Sequence, residues 1–373
     1  MLKRVYVHNY KSLQNFTLDL DCRSTLLIGK NGSGKTSVGK ALCIIRDIGR
    51  GKMEIDDLLK PKDFSFYNVD LPMRFELHAQ VGDATYVYSL VLEMPQGFFL
   101  PRVKEETLEY NERQVFTREL GQITFYHHED REPVNFPLDW HKIGLPIVGD
   151  QARDDYIEKF RRYLGSMILI SPVPSSILGN SDSKPNWVLN WDCKNYSAWL
   201  TTLLGNYPGV YTLMEKSLKD CMPDFSSFSN MAYGDTAKNR EVIFRSGEKR
   251  FVADFDILSD GEKCMFVIAS VLAEVLIAAE NGHDRFVFWD EPDSFLSPWE
   301  LISLIKSMRR NFNRAGQLVA TSHNDSVIEC FSPENIFRLS RASHLEPTRC
   351  ELLQNVMAGS KESIASLIED GEI

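Results

Sequence analysis

Residues 29–36, Gly-Lys-Asn-Gly-Ser-Gly-Lys-Thr, fit the spacing G-x-x-x-x-G-K-[ST] of a phosphate-binding loop. The chemistry dictates the pattern. Glycines let successive backbone N–H groups converge on phosphate oxygens where a Cβ would clash. Lys35 supplies an ammonium for the β- and γ-phosphates, and the Thr36 hydroxyl suits Mg²⁺. Thr36 also opens a helix, so the positive end of the helix dipole faces the anion. Residues 24–28 read as a short buried strand and 36–47 as a helix, which is the context the motif requires.

Two carboxylates stand further along, in Phe286-Val287-Phe288-Trp289-Asp290-Glu291-Pro292. The four apolar residues predict a strand buried on both faces, with the acids emerging at its C-terminal end, where parallel α/β sheets bind ligands. Asp290 could hold Mg²⁺ through water, and Glu291 could orient and deprotonate an attacking water. Two surface acids at a strand end are common. They gain meaning from the phosphate loop in the same chain, which needs a metal and a base. A second apolar strand, 317–321, runs into Thr321-Ser322-His323. Between the loop and the acids, Leu258-Ser259-Asp260-Gly261-Glu262-Lys263 opens a long apolar helix ending near Gly282. Its plain reading is a capping box, with Ser259 at the N-cap and Glu262 three residues on.

The elements that must position these residues follow from periodicity. Residues 5–7 and 16–20 alternate as a hairpin, and 73–79 with 85–92 predict a second one across Val81-Gly82-Asp83. Residues 108–110 and 122–126 extend this β region, while 48–66 form a polar connection. From Gly144 the character changes: 154–164 and 197–222 have helical periodicity, and 172–195, rich in Ser, Pro and Asn, reads as a long loop. Strands return at 241–244 and 251–255, and the final third alternates helix and strand like a parallel α/β sheet. The expected division is 1–143 as one lobe, 144–240 as an inserted helical and loop region, and 241–373 as a second lobe.

Composition is ordinary for a soluble globular chain, and the net charge of −10 argues against coating nucleic acid by bulk electrostatics, leaving only a local basic patch open. Seven cysteines lie singly with no C-x-x-C, which suggests reduced thiols in a cytoplasmic protein without a zinc site. Met1-Leu2-Lys3-Arg4 leads into an alternating strand rather than an apolar leader, and no run is apolar enough to span a bilayer, so no membrane association is expected.

Together these residues resemble the ATP-binding-cassette (ABC) ATPase class, with Walker A at 29–36, a signature motif at 258–262 and Walker B at 286–291. A D-loop lies in Ser294-Phe295-Leu296-Ser297, and His323 stands as the switch histidine that senses the γ-phosphate. Asn9-Tyr10-Lys11-Ser12 is similar to the start of the RecF/SMC branch, whose basic residue contacts nucleotide phosphates. The segments 167–174 and 195–223 are similar to the OLD-like and RecF-like ATPases of bacterial anti-phage systems. Three departures stand out. The signature carries Asp260 and Glu262 where transporters have Gly and Gln, as the RecF/SMC branch does. Ser297 replaces a frequent Asp in the D-loop. For the Q-loop glutamine, the residue named is Gln80, at the end of a predicted strand.

The resemblance implies an α/β ABC ATPase head of the P-loop NTPase kind, with a mixed or parallel central sheet, an antiparallel β subdomain and an inserted helical and loop lobe. It implies ATP and Mg²⁺ as ligands. Lys11, Gly29, Asn31, Gly32, Ser33, Gly34, Lys35, Thr36, Ser37, Ser259, Gly261 and Glu262 would bind the nucleotide, and Thr36, Asp290 and Gln80 the metal. Glu291, Lys35 and His323 would be catalytic. It further implies a homodimer in which Ser259 and Gly261 of one copy complete the site of the other. The switch would regulate a separate effector, a nuclease or toxin, in anti-phage defence. About fifty residues follow His323, too few for a fused nuclease domain. The alternatives are a RecF-like DNA-maintenance ATPase that clamps DNA, a nucleotide-gated scaffold that does not hydrolyse, and a transporter ATPase. Intact Asp290 and Glu291 argue against the scaffold, and the large insertion from 66 to 255 argues against the transporter.

Overall fold

The computed structural model describes residues 1–126, 132–149, 156–182, 184–233 and 237–359, and they fall into two compact units. The first unit takes Met1–Met167 and the chain from Pro333 onward; the second is Ile168–Ser332.

In the first unit, β1 (Leu2–His8) and β2 (Phe16–Asp19) form the expected antiparallel hairpin. β3 (Ser24–Ile28) is buried throughout and feeds the phosphate loop, after which α1 (Lys35–Gly49) begins. The polar connection that follows contains a short helix, α2 (Ile55–Leu58), and two tight helical turns at Pro61–Asp63 and Ser65–Tyr67. β4 (Met73–Val81) and β5 (Ala84–Glu93) make the second hairpin, with Gly82 at φ 62 in its two-residue turn. β6 (Arg102–Tyr110), β7 (Arg113–Glu119), β8 (Gln122–Phe125) and β9 (Val134–Pro137) complete an antiparallel sheet of order β2-β1-β4-β5-β6-β7-β8-β9. α3 (Tyr156–Gly165) packs on α1 and lays Phe160 flat against Tyr86, ring centroids 4.8 Å apart.

β7 escaped the sequence reading for a physical reason. Val115 and Phe116 are both buried, because the β6–β7 register slips between Leu108 and Glu109. The extra residue destroys the period of two. The same sheet buries Glu106, which accepts from Tyr88 Oη at 2.9 Å and from the Gly144 and Leu145 amides at 2.6 and 2.9 Å. Burial raises the Glu106 pKa despite these bonds, and Arg118 lies 3.6 Å away. The chain returns to this unit as β17 (Ile336–Ser340), β18 (Arg349–Leu352) and α9 (Leu353–Gly359). β17 pairs parallel to β3 and antiparallel to β18.

In the second unit, β10 (Ile168–Ile170), β15 (Phe286–Trp289) and β16 (Gln317–Thr321) are parallel neighbours, all buried. β11 (Ser181–Asp182), β12 (Phe225–Tyr233), β13 (Ala237–Ser246) and β14 (Lys249–Asp254) form a separate antiparallel sheet. The periodicity over 197–222 belongs to two helices, α4 (Tyr196–Asn206) and α5 (Gly209–Cys221), interrupted at Pro208, whose ring cannot continue the preceding helix. α6 (Asp260–Glu280) is the long apolar helix, and Tyr196 Oη donates to its Phe266 carbonyl at 2.9 Å. α7 (Pro298–Phe312) and the short α8 (Asp325–Ile328) flank β16. Acidic residues 154 and 155, read as opening a helix, lie outside the described residues. Among the described residues, no helix is long and apolar enough to cross a membrane.

Candidate functional site

The phosphate loop is built by the register of its own sheet. Ile28 pairs with Arg338, so Gly29 falls beside Leu339, whose carbonyl oxygen would sit 2.0 Å from any Cβ at position 29. Gly34 has φ 107, and a Cβ there would meet Thr348 Oγ1 at 2.5 Å. Only glycine fits either place. The loop then runs directly into α1 with Gly34 at the N-cap and no side-chain cap on the helix end.

A second layer of side chains holds the loop. The buried Thr348 hydroxyl donates to the Ser33 carbonyl at 2.8 Å and lies 2.9 Å from Ser12 Oγ. Thr348 N–H donates to the Ser12 carbonyl at 2.8 Å. Arg341 donates to the Gly32 carbonyl at 3.2 Å while its other nitrogens hold the Glu346 and His344 carbonyls. Sequence reasoning missed Ser12, Arg341 and Thr348 as loop supports. The two from the C-terminal segment lie more than 300 positions away in the chain, and no local pattern marks them.

Lys35 is buried, with Nζ donating to the Gly29 carbonyl at 2.6 Å and to the Lys30 carbonyl at 3.3 Å. Asn31, Gly32 and Thr36 are exposed and Ser37 is half-buried. Ser33 Oγ is buried without a hydrogen-bond partner among the described residues. A glycine loop with no room for a Cβ at positions 29 and 34, a buried ammonium and an unsatisfied hydroxyl together fit a polyphosphate. Lys11 is exposed at φ 51, with its ammonium 5.4 Å from the Tyr10 ring centroid and its backbone N–H on the Asp63 carbonyl at 2.8 Å.

Gln80 is not brought to this loop. It is exposed at the turn end of β4, and its carbonyl accepts from the Met1 amino terminus. Tyr10, which precedes Lys11, packs instead on Phe75, five residues earlier on β4. At ~3.3 Å per strand residue this separates Gln80 from that neighbourhood by about 17 Å. Gln80, named as the Q-loop residue from the resemblance, instead sits one residue before the end of β4, at a solvent-facing hairpin turn.

The second unit assembles the acids by the same logic of parallel register. Trp289 pairs with Ala320, so Asp290 and Thr321 emerge side by side. Thr321 Oγ1 donates to Asp290 Oδ1 at 2.7 Å and accepts the Glu291 N–H at 2.9 Å. One buried hydroxyl thus fixes both residues. Asp290 is 5 % exposed, whereas Glu291 sits at φ 51 with its side chain 37 % exposed. A non-glycine residue in the left-handed region carries strain that the Thr321 contact sustains. His323 Nδ1 is 3.8 Å from Glu291 Oε1, and Ser294 Oγ donates to Glu291 Oε2 at 3.2 Å. Asp293, missed by sequence reading, accepts from Ser322 Oγ at 2.8 Å and so anchors the residue before His323. Burial raises its pKa, opposed by the Ser322 bond.

The capping box at 259–262 is present. Ser259 Oγ donates to Glu262 Oε2 at 2.7 Å, and the Ser259 N–H donates to the same oxygen at 2.7 Å. The Glu262 N–H donates back to Ser259 Oγ at 3.3 Å. Ser259 is exposed at the N-terminus of α6, and Gly261 lies against the Phe295 carbonyl of the following loop. Structural capping and an exposed anion-attracting helix end therefore coexist at one turn.

A strand–loop–helix phosphate cradle in the first unit and an acidic pair ending a buried parallel strand in the second are features of a P-loop NTPase fold of the ABC ATPase kind. The chain belongs to the family described as "AAA domain, putative AbiEii toxin, Type IV TA system", whose model matches residues 24–329. It is similar to the hemin import ATP-binding protein HmuV of Agrobacterium fabrum, 30% identical over 98 residues. That match covers 26% of this chain and 38% of HmuV. The fold is similar to a crystal structure of the Smc head bound to the C-winged helix domain of ScpA. The TM-score is 0.59 at 12% identity, covering 95% of this chain and 99% of that one. It is also similar to an Smc head with an extended coiled coil bound to the C-terminal domain of ScpA, derived from Pyrococcus furiosus. Here the TM-score is 0.57 at 11% identity, with 96% and 98% covered.

Proposed function

We propose that this chain hydrolyses ATP with Mg²⁺, pairs head to head with a second copy around the nucleotide, and acts as the sensing subunit of a bacterial anti-phage defence system. Its effector would be a separate nuclease or other toxin. The observation that carries the reading is the Asp290–Thr321–Glu291 arrangement, in a chain that also holds a formed phosphate loop. A chain that only bound nucleotide would need no half-exposed carboxylate held at a strained backbone angle beside a histidine.

The chemistry follows from the residues. Loop amides and Lys35 would hold the triphosphate, releasing Lys35 from its present carbonyl partners. Thr36 and Asp290 are the side chains suited to Mg²⁺, which when bound would neutralise charge on the terminal phosphates. Glu291 would take a proton from water as the water oxygen bonds to the γ-phosphorus and the bond to the β,γ-bridging oxygen breaks, giving ADP and phosphate. His323, 3.8 Å from Glu291, would sense the γ-phosphate. The exposed helix end at Ser259 and Gly261 would grip the γ-phosphate of the partner copy, making association depend on ATP. The family's description, which names a toxin of a type IV toxin–antitoxin system, supports a two-component setting.

Steady-state phosphate release tests the reading. Wild type should turn over ATP, while Lys35→Ala and Glu291→Gln should each fall at least ~100-fold, a loss of the size expected when a phosphate clamp or general base is removed. No turnover in wild type, or undiminished turnover in Glu291→Gln, would overturn it. Native mass spectrometry of protein purified from its host should show a bound second protein; DNA in its place would favour the DNA-clamping alternative.

A further inference from the structure

β14 is an edge strand of the second unit's antiparallel sheet: it pairs with β13 and, among the described residues, with no other strand. The register decides which of its backbone groups are already bonded. Ser246 pairs with Lys249 across the turn Gly247-Glu248, and a two-residue turn closes on a hydrogen-bonded pair. Bonded pairs recur at every second position, at Phe244 with Phe251 and at Val242 with Ala253. The amides and carbonyls of Arg250, Val252 and Asp254 therefore point away from β13. The alternation shows on β13 as well, where the N–H of Arg245, opposite Arg250, donates toward the β12 side, to the Asp224 carbonyl at 2.7 Å.

The side chains on this edge follow an order of their own. All of β14 except Ala253 is exposed, Phe251 at 57% and Val252 at 41%. One face of the hairpin carries Arg245 opposite Arg250, then Ile243 opposite Val252, then Glu241 opposite Asp254. These are the non-bonded pairs, whose side chains stand closest, and like charges directly opposite destabilise a hairpin. The Asp254 carboxylate also accepts from Asn239 Nδ2 at 3.1 Å. A single copy thus gathers positive charge at the turn, negative charge at the far end and apolar residues between. Charges on an edge ordinarily keep a second strand away. This order instead complements its own reverse. By contrast β9, at the end of the first unit's sheet, finishes in Pro137, which has no N–H to offer, whereas β14 holds no proline.

We propose that β14 is a pairing edge for a second copy of this chain. Two copies related by a two-fold axis at Val252 run antiparallel, with Arg250 of each opposite Asp254 of the other. Outward-facing backbone groups then meet outward-facing ones, and each such pair exchanges both N–H···O bonds. No other register pairs all three outward residues of both copies. The arginine end meets the acidic end twice, and Phe251 of each copy lies opposite Ala253 of the other. Strands of six residues bury far less than the ~1,200 Å² of a stable complex, so the contact is weak and concentration-dependent. It needs no nucleotide, and at the low concentrations where ATP-dependent pairing is read it contributes little.

Sedimentation equilibrium of the nucleotide-free, full-length chain tests this. The wild-type mass should climb from a monomer's toward a dimer's between about 5 µM and about 500 µM. Arg250→Asp and Asp254→Arg each remove a like-charge pair within the hairpin, so neither should melt below wild type, yet each alone should stay monomeric. Mixed in equal amounts they should associate at least as strongly as wild type, because one copy is then acidic and the other basic at both positions. Val252→Pro deletes the central outward N–H without touching a bond to β13, and should stay monomeric. A monomer's mass for wild type throughout would overturn the pairing, as would a mixture that fails to associate. Either charge variant, or Val252→Pro, associating like wild type would overturn it too. None of these failures would touch the ATP-dependent pairing, since no nucleotide is present.

Discussion

The phosphate loop of the first unit and the carboxylate pair of the second are built in opposite ways. The loop is made of backbone, closed in by Leu339, Thr348 and Ser12, and its lysine is buried. The carboxylate region is made of side chains that face outward: Glu291 is 37% and His323 56% exposed, and Ser259 is exposed as well. Asp290, Asp293, Thr321 and Ser322 are buried beneath them. The difference teaches that binding is preformed, whereas the groups proposed for hydrolysis stay open to whatever docks on them. Preformed donors lower the reorganisation needed to hold an anion. Exposed ones can be completed by another surface.

Single hydroxyl deletions sharpen this contrast. Thr321→Val removes the bond to Asp290 and the acceptor for the Glu291 N–H together. We expect kcat to fall about 30-fold with ATP affinity within about twofold, and stability to fall by ~1–3 kcal/mol, because a buried carboxylate loses its donor. Steady-state kinetics with urea unfolding checks it; a loss confined to affinity would break the division of labour. Thr348→Val should do the reverse on a smaller scale. The hydroxyl's contacts with the Ser33 carbonyl and Ser12 Oγ are both lost, so ATP affinity should drop about threefold and stability by ~1–2 kcal/mol, with kcat unchanged. Equal effects on kcat in both variants would erase the distinction between the regions.

Much of this was legible in the sequence because local spacing encodes it. Strand β3, the loop glycines, the capping box at Ser259 and the strand before Asp290 are each specified within a few residues. What stayed hidden depends on register between distant segments. Arg341 and Thr348 meet the loop only because β17 and β18 return beside β3. Strand β12, Phe-Ser-Ser-Phe-Ser-Asn at its start, hides its alternation behind small polar residues. No local pattern marks Glu106 as buried; its amide and tyrosine partners, which make that burial tolerable, come from other segments. Gln80 shows the converse: a residue type suited to a metal, in a strand that carries it elsewhere.

The central claim is that nucleotide controls the pairing of two copies. Light scattering of the Glu291→Gln variant, with and without excess ATP–Mg²⁺, measures it most directly, because slowed hydrolysis should hold the assembled state. The account predicts a dimer's mass with ATP–Mg²⁺ and a monomer's mass without it. A monomer's mass in ATP–Mg²⁺, with nucleotide bound by titration of the same sample, would contradict it.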